Sequence, residues 1–145
     1  MKIAGFQMQS APGDVAANLD KIADAARRSV DSGASILVVP ELALSGYGVG
    51  KAVRDNAQTL DGEQIGRLST IARDAGLTIV AGFAERDGEI IRNSAVVVDG
   101  DALPIVYRKC NLYGPYERGL FEQAKPSAVT FEKDGGQIVL PCGKV

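Results

Sequence analysis

Histidine is missing altogether from this chain. Its absence excludes Ser-His-Asp and Cys-His catalysis and any zinc site that needs imidazole, and it leaves acid and base work to Glu, Asp, Lys, Tyr or Cys. Cysteine is nearly as scarce. Cys110 and Cys142 stand far apart, form no Cys-x-x-Cys metal motif, and fit a reducing compartment better than a disulfide framework. There is no run of Lys and Arg. The net charge is -2, with both signs interspersed, so nothing points to nucleic acid or to a membrane surface. No stretch approaches transmembrane length, and Met1–Gln7 enters a strand without an apolar signal core or a small-residue cleavage site. The expected location is cytoplasmic, and the expected partner is a small molecule or another subunit.

What is present describes an ordinary globular domain: 145 residues, 46% of them hydrophobic, enough for one domain with a sizeable core. Residues 2–9 carry the apolar weight of a first strand, and Pro12-Gly13 then turns the chain. Asp14 suits the N-cap of a helix reaching about Ser32, with Val15, Leu19, Ile22, Ala26 and Val30 on one stripe. Residues 35–41 read as a strand covered on both faces. Asp61, with Gln64 three residues on, resembles a capping box opening a second helix with Ile65, Leu68, Ala72 and Ala75 inward and Gly76 at its end. Strands are expected over Thr78–Ala84, Ile90–Val98 and Leu103–Cys110. The turns Asp87-Gly88 and Asp99-Gly100-Asp101 make their pairing antiparallel. Residues 111–126 read as a long polar-aromatic loop, of a length that usually serves function. Two short strands, 128–132 and 138–140, flank Asp134-Gly135-Gly136. The order implies an α/β domain whose mixed sheet carries helices on one face.

Two stretches carry chemistry. In Ile36-Leu37-Val38-Val39-Pro40-Glu41, an apolar strand ends in a carboxylate, and residues just past the C-terminal end of such strands sit where open α/β sheets place their sites. Glu41 is thus a candidate proton acceptor, or else it caps a turn or pairs with a surface Lys. In Tyr107-Arg108-Lys109-Cys110-Asn111-Leu112, Lys109 at a strand's end is a candidate electrostatic stabiliser that Glu117 could orient. The plainer alternative is a surface Lys and a loop Glu. Gly46-Tyr47-Gly48-Val49-Gly50 has the wrong spacing for a dinucleotide loop, and Ser45 lacks the preceding Gly of a nucleophile elbow.

Taken together, Pro40-Glu41-Leu42-Ala43-Leu44-Ser45-Gly46-Tyr47, Arg108-Lys109-x-x-Leu112 and Glu117-Arg118-x-x-Phe121 resemble the nitrilase superfamily of carbon-nitrogen hydrolases. The opening strand Ile3–Gln7 and Asn18-Leu19 also look like that family's N-terminal pattern. The resemblance implies an α-β-β-α sandwich of which only the first half is present, residues 1–145 forming the N-terminal part of a single domain that stops before its nucleophile strand. It implies a Glu-Lys-Cys triad helped by a second Glu, with Glu41 as general base, Lys109 as oxyanion-stabilising lysine and Glu117 as the second glutamate. Neither metal nor organic cofactor is required. The substrate would be a small amide or nitrile, and the complete protein would form a homo-oligomer.

The nucleophile departs from the pattern. Cys142 lies between Pro141 and Gly143-Lys144-Val145, which looks like the turn leading into the nucleophile strand, and Cys110 directly follows Lys109. The nucleophile is therefore expected beyond Val145. Residues 113–118 resemble the loop of amidase-like members and favour an aliphatic amidase. A nitrilase or an N-carbamoyl amino acid hydrolase is the alternative within the family, and a non-catalytic fragment or assembly partner is the alternative outside it.

Overall fold

The computed structural model describes residues 1–140. Its centre is a five-stranded mixed sheet in the order β1 (Ile3–Gly5), β2 (Ile36–Val38), β3 (Thr78–Asp87), β4 (Ile90–Asp99), β5 (Ile105–Arg108). The first three strands are parallel, with Ile3 opposite Ile36 and Ile36 opposite Thr78. A parallel pair requires a crossover, and helices supply it: α1 (Val15–Asp31) joins β1 to β2, while α2 (Ala52–Asp55) and α3 (Glu63–Ala75) lie between β2 and β3. The hairpin signals are realised as expected. β3 and β4 pair antiparallel over their full length, from Thr78 opposite Asp99 to Asp87 opposite Ile90, and β5 adds antiparallel to β4.

Both long helices cover one face of the sheet, where Leu19, Ile22, Ile65 and Leu68 meet Leu37, Ile79, Ala81, Phe83, Val96 and Val98. Asp14 caps α1 as expected, its Oδ1 accepting the Ala17 N–H at 3.0 Å. The stripe departs from expectation at its end: Val30 is 41% exposed, and Ala25 and Ser29 are buried instead. Steps of four residues overshoot a 3.6-residue turn, so the last member rotates out of the contact. The capping box is not formed either. Gly62 is the N-cap of α3 without a side-chain cap, and Asp61 bonds to the Thr59 side chain. Gly76 ends α3 in the left-handed conformation expected of it, at φ 66°.

The other face is only partly covered. A separate hairpin of β6 (Val129–Lys133) and β7 (Gly136–Leu140) lays Phe131 over Ile36, Val80 and Val97, with Ile138 and Leu140 alongside. The neighbouring Val38 is 39% exposed, so the expectation of a strand buried on both faces holds for Ile36 and Leu37 and fails at Val38. Regular pairing in β2 also ends at Val38, short of the Glu41 boundary expected. The segment read as a loop from Asn111 to Pro126 holds a helix, α4 (Gly114–Leu120), with Pro115 in the first turn, where its missing N–H is not needed. Among the described residues, no helix is long and apolar enough to cross a membrane.

Candidate active site

At the C-terminal end of β2 the chain is held against β3 at unusually close range. Gly82 N–H donates to the Pro40 carbonyl at 3.2 Å, and Leu44 N–H donates to the Gly82 carbonyl at 3.3 Å. A Cβ at position 82 would lie 2.4 Å from the Leu42 nitrogen and 2.6 Å from the Glu41 Cα. Only glycine permits that approach. Leu42, next to Glu41, sits at φ 50°, a left-handed conformation that costs a non-glycine residue energy and concentrates at functional sites. Burial of the Leu42 side chain among Val53, Ala84 and Ile91 offsets that cost and fixes the direction in which Glu41 leaves the backbone.

Glu41 leaves into a cavity of about 350 Å³ on the half-covered face, lined by Val38, Val80, Gly82, Tyr107 and Lys109. Lys109, just past β5, reaches across it: its Nζ lies 2.7 Å from Glu41 Oε1 and 2.9 Å from Glu117 Oε1. Glu117 is on α4 and only 1% exposed. Its other oxygen accepts the Tyr113 N–H at 2.7 Å, and Tyr47 Oη donates to its Oε1 at 3.1 Å. The Tyr47 ring in turn packs on Tyr116, with centroids 5.6 Å apart. Asn93, on β4 and 3% exposed, donates from Nδ2 to Glu41 Oε1 at 2.6 Å.

The charges differ in what they can do. Burial pushes the Lys109 ammonium down, but its bonds to Glu41 and Glu117 outweigh that and hold it above the ordinary lysine value. It stays charged and serves as a donor rather than a base. Burial pushes Glu117 up, yet the Tyr113 N–H, Lys109 and Tyr47 together hold it below the usual carboxylate range. Glu117 is thus an ionised anchor with both oxygens engaged. Tyr47 is raised, first by burial and then by its bond to Glu117, and stays a neutral hydroxyl. Glu41 is the carboxylate with room to act, its side chain 43% exposed. Among the described residues, no group of His, Cys, Asp and Glu could hold a metal ion.

The three residues singled out in the sequence therefore meet in space, although 68 positions separate Glu41 from Lys109. Glu117 is buried on a helix rather than lying in a loop. Sequence reasoning passed over Asn93 and Tyr47. Asn93 in the middle of a strand, between the apolar Ile90-Ile91 and Ala95–Val98, was the available signal for the first, since a buried amide needs a partner. Tyr47 closed the stretch that carries the family resemblance, but was given no role of its own. Cys110 is buried and is not a free thiol, against the expectation drawn from cysteine number and spacing. Cys142 lies outside the described residues. On the helix-covered side of β5, Glu85, 2% exposed, accepts two bonds from Arg108 Nε, at 2.9 and 3.1 Å, one from Arg108 Nη2 at 2.6 Å and one from the Ser94 hydroxyl at 2.7 Å. This pairing anchors the strand end from which Lys109 projects.

Comparison with known proteins bears on the family and the fold. The family model described as carbon-nitrogen hydrolase matches residues 2–143. The chain is 34% identical to the protein named "Hydrolase in pqqF 5'region" of Pseudomonas protegens, over 95% of this chain and 49% of that protein. It is 36% identical to a nitrilase of Pyrococcus abyssi, over 78% of this chain and 44% of that protein. The crystal structure of an amidase from Nesterenkonia sp. superposes with a TM-score of 0.85 at 31% identity, covering 96% of this chain and 54% of the amidase. The chain spans about half the length of the relatives it matches. With its mixed sheet and helices following a nitrilase-superfamily amidase and the family model covering nearly all of its length, the chain belongs to the carbon-nitrogen hydrolase family.

Proposed function

We propose that this chain supplies the acid-base and electrostatic half of an aliphatic amidase site, and that the half of the domain it does not span supplies the thiol. The observation that carries this reading is the bridge of Lys109 between Glu41 and the buried Glu117 at the mouth of the cavity. Glu41 takes the proton of the thiol, and the thiolate attacks the amide carbonyl carbon. Lys109 stabilises the negative charge that develops on the oxygen. Ammonia leaves with the proton from Glu41, and water activated by the same carboxylate hydrolyses the thioester to the acid. A small aliphatic amide suits a cavity of this size, and a mutant of the Nesterenkonia amidase has been solved in complex with butyramide.

The test uses a full-length enzyme joining this chain to the rest of the domain, assayed for ammonia release from butyramide. Glu41→Gln should keep the fold and lower turnover by about a hundredfold to ten-thousandfold. Lys109→Ala should cost about a hundredfold to a thousandfold, and Lys109→Arg should recover little of it, because a planar guanidinium does not place its donors as a compact ammonium does. Near-parent rates in either folded variant would remove that residue from the mechanism. The 145-residue chain alone should release no ammonia, and robust hydrolysis abolished by Cys142→Ala would relocate the nucleophile.

A further inference from the structure

Asn93 does two things at once in the cavity wall. Its side chain donates to Glu41 Oε1 at 2.6 Å, and its main-chain carbonyl accepts the Lys109 N–H at 2.9 Å. One residue of β4 therefore sets both the direction of the carboxylate and the place where the lysine leaves the sheet. The amide must present its NH2 group, because a carbonyl oxygen at that distance from a carboxylate oxygen would be repulsive. Oε1 thus receives two donors, Asn93 and Lys109, while Oε2 has no hydrogen bond among the described residues.

We propose that Asn93 is a positioning residue for the amide hydrolysis above: it fixes the Glu41 carboxylate so that Oε2, and not Oε1, exchanges the proton. This rests on the amidase reading. A carboxylate loaded with two donors on one oxygen cannot rotate without breaking both bonds, so the unengaged oxygen faces one direction throughout the cycle. Removing the amide leaves Lys109 as the remaining restraint on Oε1. The ammonium, a point donor shared with Glu117, sets no plane for the carboxylate and restrains it less than an amide fixed in β4.

The experiment has two arms. In the full-length enzyme with butyramide, Asn93→Ala should lower kcat about tenfold to a hundredfold, the range for losing a hydrogen bond to a charged group, with KM within about threefold. Asn93→Asp, nearly the same shape, should lose at least as much, because it cannot donate and it repels Glu41. Activity retained by Asn93→Asp and lost by Asn93→Ala would mean that position 93 serves by its shape, and the proposal would fall. An unchanged kcat in Asn93→Ala would also overturn it. The second arm follows the side-chain amide signals of Asn93 in enzyme labelled with 15N-asparagine. Glu41→Gln should displace them, and unmoved signals would show that no such bond exists. Glu41 is half exposed, so this variant folds even where substitutions at Asn93 do not. An enzyme inactive on every amide would overturn the amidase reading and leave the bond to be decided by the amide signals.

Discussion

The two faces of the five-stranded sheet are built from the same strands but serve different ends. On the face covered by α1 and α3, the inward positions are aliphatic or aromatic and close on one another, except at one end, where Glu85, Ser94 and Arg108 bond among themselves. On the opposite face, β6 and β7 cover Ile36, Val80 and Val97, while the remainder carries Val38, a cavity and three charged side chains. Because strand residues alternate between faces, neighbouring residues of one strand serve different faces. Asn93 and Ser94 show this in adjacent residues: the first bonds Glu41 on the open face, and the second bonds Glu85 on the other. The covered face should therefore govern stability and the open face activity, and substitutions can be chosen to test that division.

The largest combined effect, on stability and on rate together, is expected where the division fails. Gly82→Ala belongs to the open face, yet its Cβ meets backbone atoms of Glu41 and Leu42 and displaces the whole rim. It should cost about 1–3 kcal/mol or more in denaturant unfolding and about a hundredfold in rate, since small misplacements of reacting groups are expensive. A stable and fully active Gly82→Ala protein would mean that the rim does not rest on β3 as described. On the covered face, Leu19→Ala should destabilise by about 2–5 kcal/mol, with kcat unchanged in whatever fraction remains folded. Its counterpart Val38→Thr, at a position already exposed, should change stability by no more than about 0.5 kcal/mol. Equal losses at these two positions would erase the distinction between the faces.

Acid should find the open face next. The carboxyl of Glu117 is held below its unfolded value of about 4.3, so the stability it contributes is fully present above that pH and is lost as pH falls through the lower folded value. Glu117→Gln should flatten that part of the pH-stability curve, and a curve unchanged by the substitution would separate Glu117 from acid unfolding. Only a modest effect is expected at Tyr47→Phe. Glu117 keeps Lys109 and the Tyr113 N–H when the hydroxyl is gone, so the melting midpoint should shift by only a few degrees, in keeping with about 1 kcal/mol. A loss of activity comparable to that of Lys109→Ala would instead place the Tyr47 hydroxyl in contact with substrate.

How much of this was legible in the sequence depends on how local each cause is. The antiparallel hairpin of β3 and β4 was readable because Asp87-Gly88 lies between its strands, and Gly88 adopts the positive φ that such a turn needs. Asp14 was readable for the same reason. The capping box at Asp61 was not, because Thr59 competes for the same carboxylate from two residues away. The helix over Gly114–Leu120 was hidden by its glycines and proline, which read as loop. Its place is set instead by Glu117, buried on bonds to Lys109, the Tyr113 N–H and Tyr47, the last of them 70 positions away. Glu41, Lys109 and Glu117 could be picked out individually, but their meeting is a tertiary fact. The resemblance to a family joined them where periodicity could not.

The distance along the chain between Glu41 and Lys109 also bears on the order in which the protein acquires its parts. The hairpin of β3 and β4 closes a short loop, whereas β1, β2 and β3 come together only after two helical crossovers. Closing long loops is slow, because the chain loses freedom before distant contacts compensate for it. The β4–β5 side, carrying Asn93 and Lys109, should therefore be assembled while residues 36–42 are still unfixed, and Glu41 should arrive last, at a waiting amide and ammonium. Pulse-labelled hydrogen exchange would record that sequence as early protection of the Val96 and Val98 amides and late protection of those at Val39 and Gly46.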